Sequence, residues 1–321
     1  MSKTETRLPV VSVLMPVYNG ARFLNEQIDS ILAQEGVDVR LVILDDASTD
    51  NSFELARIRA SRDGRITLLR GASNVGLCGS VSRLLWTVDT QYFAMSDQDD
   101  VWDPDKLSCS IVALSRPRVK LVYSDVRIID ENGSITTDSY WTSRAIRPIR
   151  GTGTNLLPVV YRNPIVGHTI VATADVATAA RDLPSSLIYY EVLLAAAASR
   201  VGEVDYINDQ LGSYRTHASN VVGPLERRLS ARVVGRFRDS RRLRLRQRQR
   251  IAALTLLASE YTEYEKLAEL YQHGLCGRVF NIYSFVHELG RSRSVLGLPL
   301  IVKESLMHLL IGPGDMRVHA R

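Results

Sequence analysis

The chain has 321 residues, of which 45% are hydrophobic and 23% charged, the balance of a globular protein with room for one large domain and an extension. Its three cysteines, Cys78, Cys109 and Cys276, are far apart, which excludes a disulfide framework or a cysteine metal cluster and points to a reducing compartment. The net charge of +5 is unevenly spread: residues 1–223 hold 22 Lys and Arg against 26 Asp and Glu, and residues 224–321 hold 18 against 9, so the basic character belongs to the second part.

Met1 to Arg7 is polar and has no apolar signal core, and no apolar run approaches the roughly 20 residues of a spanning helix. A cytoplasmic protein is expected. Val10 to Met15 is an apolar, β-branched run that stops at Pro16, and it predicts a first buried strand. Phe23, Leu24, Ile28, Ile31 and Leu32 then recur at helical spacing up to Gly36. Val39 to Leu44 predicts a second strand, ending in Asp45-Asp46-Ala47-Ser48-Thr49-Asp50, where Ser48 or Thr49 is placed to cap a helix. Ile66 to Leu69 predicts a third strand. Asn74-Val75-Gly76 follows, then a helical pattern through Leu84, Leu85 and Val88. The alternation implies a mostly parallel sheet with helices on both faces.

Tyr92-Phe93-Ala94-Met95 predicts a fourth strand, and it delivers Asp97, Asp99 and Asp100 to its end. The second and fourth strands thus both finish in acids, and open α/β sheets hold ligands at that edge. Asp97 and Asp99 are two apart, so on extended backbone both side chains point the same way. Two hard oxygen ligands on one side suit Mg2+ or Mn2+ completed by substrate phosphates. An acidic surface loop is the bland alternative.

Four stretches in order carry a resemblance: Val11 to Gly20 (VSVLMPVYNG), Asp45 to Asp50 (DDASTD), Asn74-Val75-Gly76, and Ser96 to Leu107 with its Asp97-Gln98-Asp99-Asp100-Val101-Trp102 core. From about residue 10 to 223 the chain resembles the GT-A glycosyltransferases of family 2, and the last motif resembles the bacterial rhamnosyltransferase-like branch. The resemblance implies a nucleotide-diphosphate sugar donor and an inverting, metal-dependent transfer to a hydroxyl of a surface-glycan or lipid-linked acceptor. It places Pro16, Tyr18, Asn19, Asp45, Asp46, Asn74, Asp97 and Arg215 at the donor. Tyr18 would lie against the base, Asp46 would accept from a pyrimidine N–H and Asp45 would hold the loop. Asp99 would ligate the metal, with Asp97 sharing it or taking the ribose hydroxyls, and Asp100 would support them. Trp102 reads as core packing.

Asp103-Pro104 predicts the start of another helix, Lys120 to Asp125 a further strand, and Asp130-Glu131-Asn132-Gly133 a hairpin turn. Thr136 to Asn163 has no clear period and reads as an acceptor loop or a variable surface loop. Ile165 to Val171 resembles the family's inner strand, with His168 either lining the acceptor pocket or structural. Leu187 to Ser199 is an apolar helix with Tyr190-Glu191 near its start. The family usually has an Asp base here, most often after a His. This chain departs from that pattern, and Glu191 is the candidate base, with a helix N-terminal acid as its plain alternative. Asp182, Asp205 and Asp209 are weaker candidates. Tyr214-Arg215-Thr216-His217 resembles the family's closing motif, in which a histidine sometimes joins the metal and Arg215 would meet the diphosphate.

Past Pro224, Arg227 to Arg250 holds 11 Arg and one Asp with Leu229, Val233, Phe237, Leu243 and Leu245 interleaved. Helical patterning continues, so 224–321 is predicted as a basic, mainly helical extension. Such a helix fits an anionic membrane surface, which would place the protein peripherally on the inner face of the membrane. A solvated packing helix is the alternative, and no nucleic-acid motif accompanies the charge. Two other functions were weighed. A sugar-phosphate nucleotidyltransferase would need a Gly-rich basic loop where Pro16 to Arg22 stands. A nucleotide-binding scaffold without catalysis has the altered Tyr190-Glu191 site in its favour.

Overall fold

The computed structural model describes residues 7–152, 159, 164–183 and 189–217. The predicted extension, with Arg227 to Arg250, lies outside them. Strand β1 (Val10–Val17) is the axis of the sheet. Pro16, expected to end it, lies inside it. Pairing with β4 (Tyr92–Met95) stops at Leu14↔Met95, whereas pairing with β2 (Asp38–Asp45) runs on to Val17↔Asp45. Pro16 is therefore bordered on one side only, where a missing N–H costs little.

Between these strands lie α1 (Leu24–Leu32), α2 (Ser52–Arg62), β3 (Ile66–Arg70) and α3 (Gly76–Leu85). After β4 come β5 (Val101–Trp102), α4 (Lys106–Leu114), β6 (Val119–Ile129), β7 (Ile135–Thr137) and α5 (Tyr140–Ser143). A 3-10 turn (Gly167–Thr169), β8 (Val171–Thr173), α6 (Ala174–Arg181), α7 (Tyr190–Val201) and β9 (Glu203–Arg215) complete the described chain. The sheet order is β3-β2-β1-β4-β8-β6-β9-β5, with β7 on β6.

The parallel sheet predicted from the alternation is present in β3-β2-β1-β4. Beyond β4 the sheet is mixed. The expected strand over Ile165 to Val171 is instead irregular chain around the 3-10 turn, and only its last residue enters β8, which runs antiparallel to both β4 and β6. Two antiparallel pairings in succession restore direction, so β6 and its parallel neighbour β9 point the same way as β4. The C-terminal end of β9 thereby reaches the edge where β1, β2 and β4 end. At the paired strands β1 and β4 the connections leave to opposite sides of the sheet, and the edge beyond their C-terminal ends is the usual ligand crevice of such sheets.

Alternation along β1 sends Val11, Val13, Met15 and Val17 into one core with Leu24, Ile28 and Ile31 of α1, Ala56 of α2 and Leu107 of α4. The opposite face is covered by α3, whose Val81, Leu84 and Leu85 are buried. Two expected caps are used differently. The second helix starts at Ser52, and Asp50 rather than Ser48 or Thr49 accepts from the Ser52 amide at 2.9 Å. Asp103 pairs with Arg127 instead of capping α4. The hairpin turn is present: Asp130 N–H donates to Ser134 O at 2.9 Å, and Gly133 has φ +85°, which glycine adopts without strain. No helix among the described residues is long and apolar enough to cross a membrane.

Candidate active site

Four loops meet at the C-terminal edge of the sheet. The β1–α1 loop presents Tyr18, whose ring is 45% exposed although its neighbours are anchored. Asn19 takes φ +50° and its Oδ1 accepts from the Thr49 amide at 2.8 Å, while its own N–H donates to Ser48 Oγ at 3.1 Å. Gly20 N–H donates to Ser52 Oγ at 2.8 Å. The β1–α1 and β2–α2 loops are thus stitched together. Ala47 also has positive φ, +59°, a conformation that costs a residue with a Cβ about 1 kcal/mol or more.

Asp45 and Asp46, predicted as donor residues, are both buried. Asp45 Oδ2 accepts from the Ser48 amide at 3.1 Å, so it does hold its loop, and its Oδ1 is buried without a partner. The Asp46 carboxylate does not stand open for a base. Both oxygens accept from the Val75 amide at 3.0 and 3.1 Å, and one also from the Gly76 amide at 2.9 Å. That location, at the N-terminus of α3, is where the helix dipole favours an anion. Asn74 is exposed, and its Oδ1 accepts from Gly76 N–H at 3.0 Å.

The acidic turn after β4 is not extended as expected. The chain bends at Gln98–Asp99, and the carboxylates take separate partners. Asp97 Oδ1 accepts from the Tyr190 hydroxyl at 3.3 Å. Asp99 Oδ2 lies 2.8 Å from His217 Nε2, so β9 brings the predicted histidine to the predicted aspartate. Asp97 and Asp99 keep 29% and 15% of their side-chain surface open. Burial, then the Asp100 and Asp97 charges, push the Asp99 carboxyl up to about 8.

Behind this turn is a buried polar layer. Asp100 is inaccessible; its Oδ1 accepts from Arg215 N–H at 2.9 Å and its Oδ2 pairs with His168 Nδ1. Burial opposes the His168 imidazolium, but Asp100, with help from Asp97, overcomes it and raises the group to about 9. The Tyr214 ring stacks on His168 at 6.0 Å, and Lys106 Nζ donates to the His168 carbonyl while lying 3.4 Å above the Trp102 ring. Burial pulls the Lys106 amine well below its usual value. His168 is therefore a packed structural histidine and not a pocket lining. Asp97, Asp100 and His168 also bring ligand atoms within 4.8 Å of one another. Asp100 and His168 face each other there as an ion pair out of reach of solvent, and His168 Nε2 has no hydrogen-bond partner among the described residues; Asp99 and His217 form a second, more open pair beside them.

Arg215, expected to meet a diphosphate, is 1% exposed and spent on the protein. Nε donates to Asp99 O at 2.9 Å, Nη2 to Glu26 at 2.7 Å and Nη1 to Asp130 O at 3.4 Å, with the guanidinium 4.7 Å over the Phe23 ring. It frames the acidic turn. Glu191 sits in the first turn of α7, half-buried, next to Tyr190. Gly167 makes room for Tyr190, since a Cβ there would meet the tyrosine hydroxyl at 2.0 Å. Burial first, and the charge of nearby Glu191 second, push the Cys78 thiol up to about 12. Asp205 is bound to Arg116 at 2.8 Å at the start of β9, away from this edge.

Sequence reading missed Gln98, although it lies inside the acidic motif, and Glu26 and Gln27 of α1, for which no local signal exists. Gln27 Nε2 donates to Ser96 Oγ at 2.8 Å and so supports the same turn from below.

Comparison with known proteins agrees with this layout. Residues 12–166 match the model of glycosyl transferase family 2. An uncharacterised glycosyltransferase of Rickettsia felis is 31% identical over 169 residues, covering 52% of this chain and 27% of its own. The Escherichia coli UDP-Glc:alpha-D-GlcNAc-diphosphoundecaprenol beta-1,3-glucosyltransferase WfgD is 29% identical over 126 residues, 39% of this chain and 49% of its own. The chain thus spans about a quarter to a half of the length of these relatives. Among solved structures, the mannosyltransferase PcManGT from Pyrobaculum calidifontis, in complex with GDP-Man and Mn2+, superposes with TM-score 0.53 at 15% identity over 95% of this chain and 81% of that one. Staphylococcus aureus TarS 1-349 in complex with UDP gives TM-score 0.51 at 15% identity over 64% and 60%. These likenesses show the GT-A fold.

Proposed function

Residues 12–166 belong to glycosyl transferase family 2, and from that premise we propose that the chain moves a sugar from a nucleoside-diphosphate donor to a hydroxyl acceptor, inverting the anomeric carbon. The observation that carries this reading is one juxtaposition. Gln98 of the acidic turn holds the backbone of the exposed Tyr18, and Asp99 of the same turn lies 2.8 Å from His217 at the end of β9.

The Tyr18 ring offers a flat face for the base. Asn74, on the loop that Asp46 closes, would add a polar contact to the donor. Asp97 and Asp99 would supply hard oxygens and His217 a nitrogen to Mg2+ or Mn2+, a donor set of suitable chemistry. The geometry that favours this reading is the Asp99–His217 contact at 2.8 Å beside the partly open Asp97 carboxylate. When bound, the ion would neutralise charge building on the departing diphosphate. Arg215 and Asp100 hold the turn from behind. Glu191 is the base: it would take the proton of the acceptor hydroxyl as that oxygen bonds to the anomeric carbon and the bond to the diphosphate oxygen breaks on the opposite side.

A rhamnose-like donor is supported by the resemblance of the Asp97 to Trp102 motif to the rhamnosyltransferase-like branch. A surface-glycan or lipid-linked acceptor is supported by the name of the Escherichia coli relative. Arg227 to Arg250 would keep the enzyme near such an acceptor by attraction to an anionic membrane surface. The test is thermal stabilisation by UDP, dTDP, GDP, ADP and CDP, each with and without Mn2+ or Mg2+. A binder at a hundredfold excess over Kd adds about 2.7 kcal/mol. A metal-dependent shift with one nucleotide supports the donor site and selects the sugar series for assay; no shift with any of them defeats it.

A further inference from the structure

The side chain of Gln98 lies between Asp97 and Asp99 in sequence, yet it turns away from both carboxylates. Its Oε1 accepts from the Tyr18 amide at 2.9 Å, and its Nε2 donates to the Tyr18 carbonyl at 3.1 Å. One carboxamide therefore satisfies both backbone groups of a single residue, as a neighbouring strand would. No strand does so here: the β1–β4 ladder has ended at Leu14↔Met95 and the β1–β2 ladder at Val17↔Asp45. Among side chains, only an amide presents a donor and an acceptor in one plane at this spacing. The approach is close enough to require a glycine beside it. A Cβ on Gly20 would lie 2.2 Å from the Gln98 Cδ.

We propose that Gln98 is a positioning residue that couples the acidic turn to Tyr18. It makes cation binding at Asp97 and Asp99 and nucleobase binding at Tyr18 mutually reinforcing. The inference rests on the donor-site reading above and deepens it. Tyr18 has no other clamp on its own amide and carbonyl among the hydrogen bonds of the described residues, so the orientation of its ring follows the turn that carries Gln98. Whatever orders that turn orders the stacking face, and by linkage the reverse holds by the same factor.

The experiment measures Mn2+ binding alone, by electron paramagnetic resonance of the free ion. It also measures binding, with and without Mn2+, of whichever of UDP, dTDP, GDP, ADP and CDP stabilises the wild-type protein most. Two variants break the clamp from opposite sides. Gln98→Met keeps the length and removes both hydrogen bonds. Gly20→Ala puts a methyl where the carboxamide lies, which the flexible end of Gln98 can leave without moving backbone. Each is expected to weaken nucleotide binding in Mn2+ about tenfold, within the usual range of coupling between sites. Mn2+ binding without nucleotide should stay within about twofold, and the double variant should be no worse than either single one, since both remove the same contact. If one variant does not fold, the other still decides.

Wild-type-like nucleotide affinity, additive losses in the double variant, or an equal loss of Mn2+ binding would each overturn the coupling, the last by reducing Gln98 to a support of the turn. A wild-type protein that binds no nucleotide with any metal would defeat the donor-site reading itself. That result is visible before any variant is made.

Discussion

Replacing Arg215 separates two accounts of the same residue. If its guanidinium met the donor diphosphate, Arg215→Met would weaken nucleotide binding and leave the ligand-free protein nearly as stable as before. The structure implies the reverse. Arg215 is 1% exposed and donates to the Asp99 and Asp130 carbonyls and to Glu26. Glu26 keeps 54% of its side-chain surface in water, so losing its partner costs little there. The cost comes from the Asp99 carbonyl, left unsatisfied for about 1–3 kcal/mol, because the Asp130 carbonyl keeps the Gly133 amide. Methionine fills part of the space over Phe23 and limits any cavity term. A loss of about 2 kcal/mol is expected, which for a domain of this size lowers Tm by about 4–8 °C. Arg215→Lys keeps the charge but offers one donor point in place of a fork, and should fall between. The assay is thermal unfolding of the ligand-free protein followed by the Mn2+ and nucleotide responses. An Arg215→Met protein that melts with the wild type but fails to bind nucleotide would refute the framing role and restore the diphosphate contact.

Glu191→Gln should lower turnover by about 100-fold or more while leaving nucleotide-induced stabilisation unchanged, because the amide cannot take a proton; unchanged turnover would move the base elsewhere. His168 gives a pH signature. A histidine raised from 6.5 to about 9 in the folded state contributes stability that is fully present below pH 6.5 and is lost as pH rises through 9, about 3 kcal/mol in all. Lys106, held low by burial, acts in the opposite sense. The measurement is therefore the gap in Tm between wild type and His168→Asn, which should shrink between pH 6.5 and 9.5; a constant gap would contradict the buried Asp100–His168 charge pair. Gly167→Ala should displace the Tyr190 ring from Asp97 and cost about 1–3 kcal/mol of stability by overpacking, whereas a melting curve equal to wild type would show that the helix start yields freely.

The buried layer behind the acidic turn explains why so much polar chemistry sits under an apolar sheet. Asp100 is buried there, and it receives the His168 ring from the 3-10 turn and the Arg215 amide from β9. Lys106 ties the same turn to α4 through the His168 carbonyl. Three segments far apart in sequence thus converge on one carboxylate. The turn that presents Asp97 and Asp99 is held from below, while its upper face stays open to solvent.

Local pattern was enough for the first half of the molecule. Apolar runs ending in Asp45-Asp46 and Asp97 to Asp100 define β2 and β4, and helical spacing between them defines a parallel βα order. The acids then had to fall at the carboxyl edge, because every parallel strand ends there. His217 near Asp99 was legible for a similar reason: its closing motif follows the last strand. Tertiary structure alone decided the rest. The antiparallel return through β8 depends on pairing between residues about 80 positions apart, as in Phe93↔Ala172, and no period in the sequence encodes it. Arg215 carries a charge that the resemblance assigns to a ligand, yet burial turns it into a partner of Asp99 and Glu26, and His168, read as either pocket lining or structural, is packed against Asp100. Asp46, read as a base contact, finds the open N–H groups of α3 first. Gln98 was invisible as a clamp because its partner is the backbone of Tyr18, 80 residues away, and a backbone group leaves no mark in the identity of the residue that bears it. Hydrogen bonds to main chain and the cost of burying charge are properties of place, and place is set only when the strands have paired.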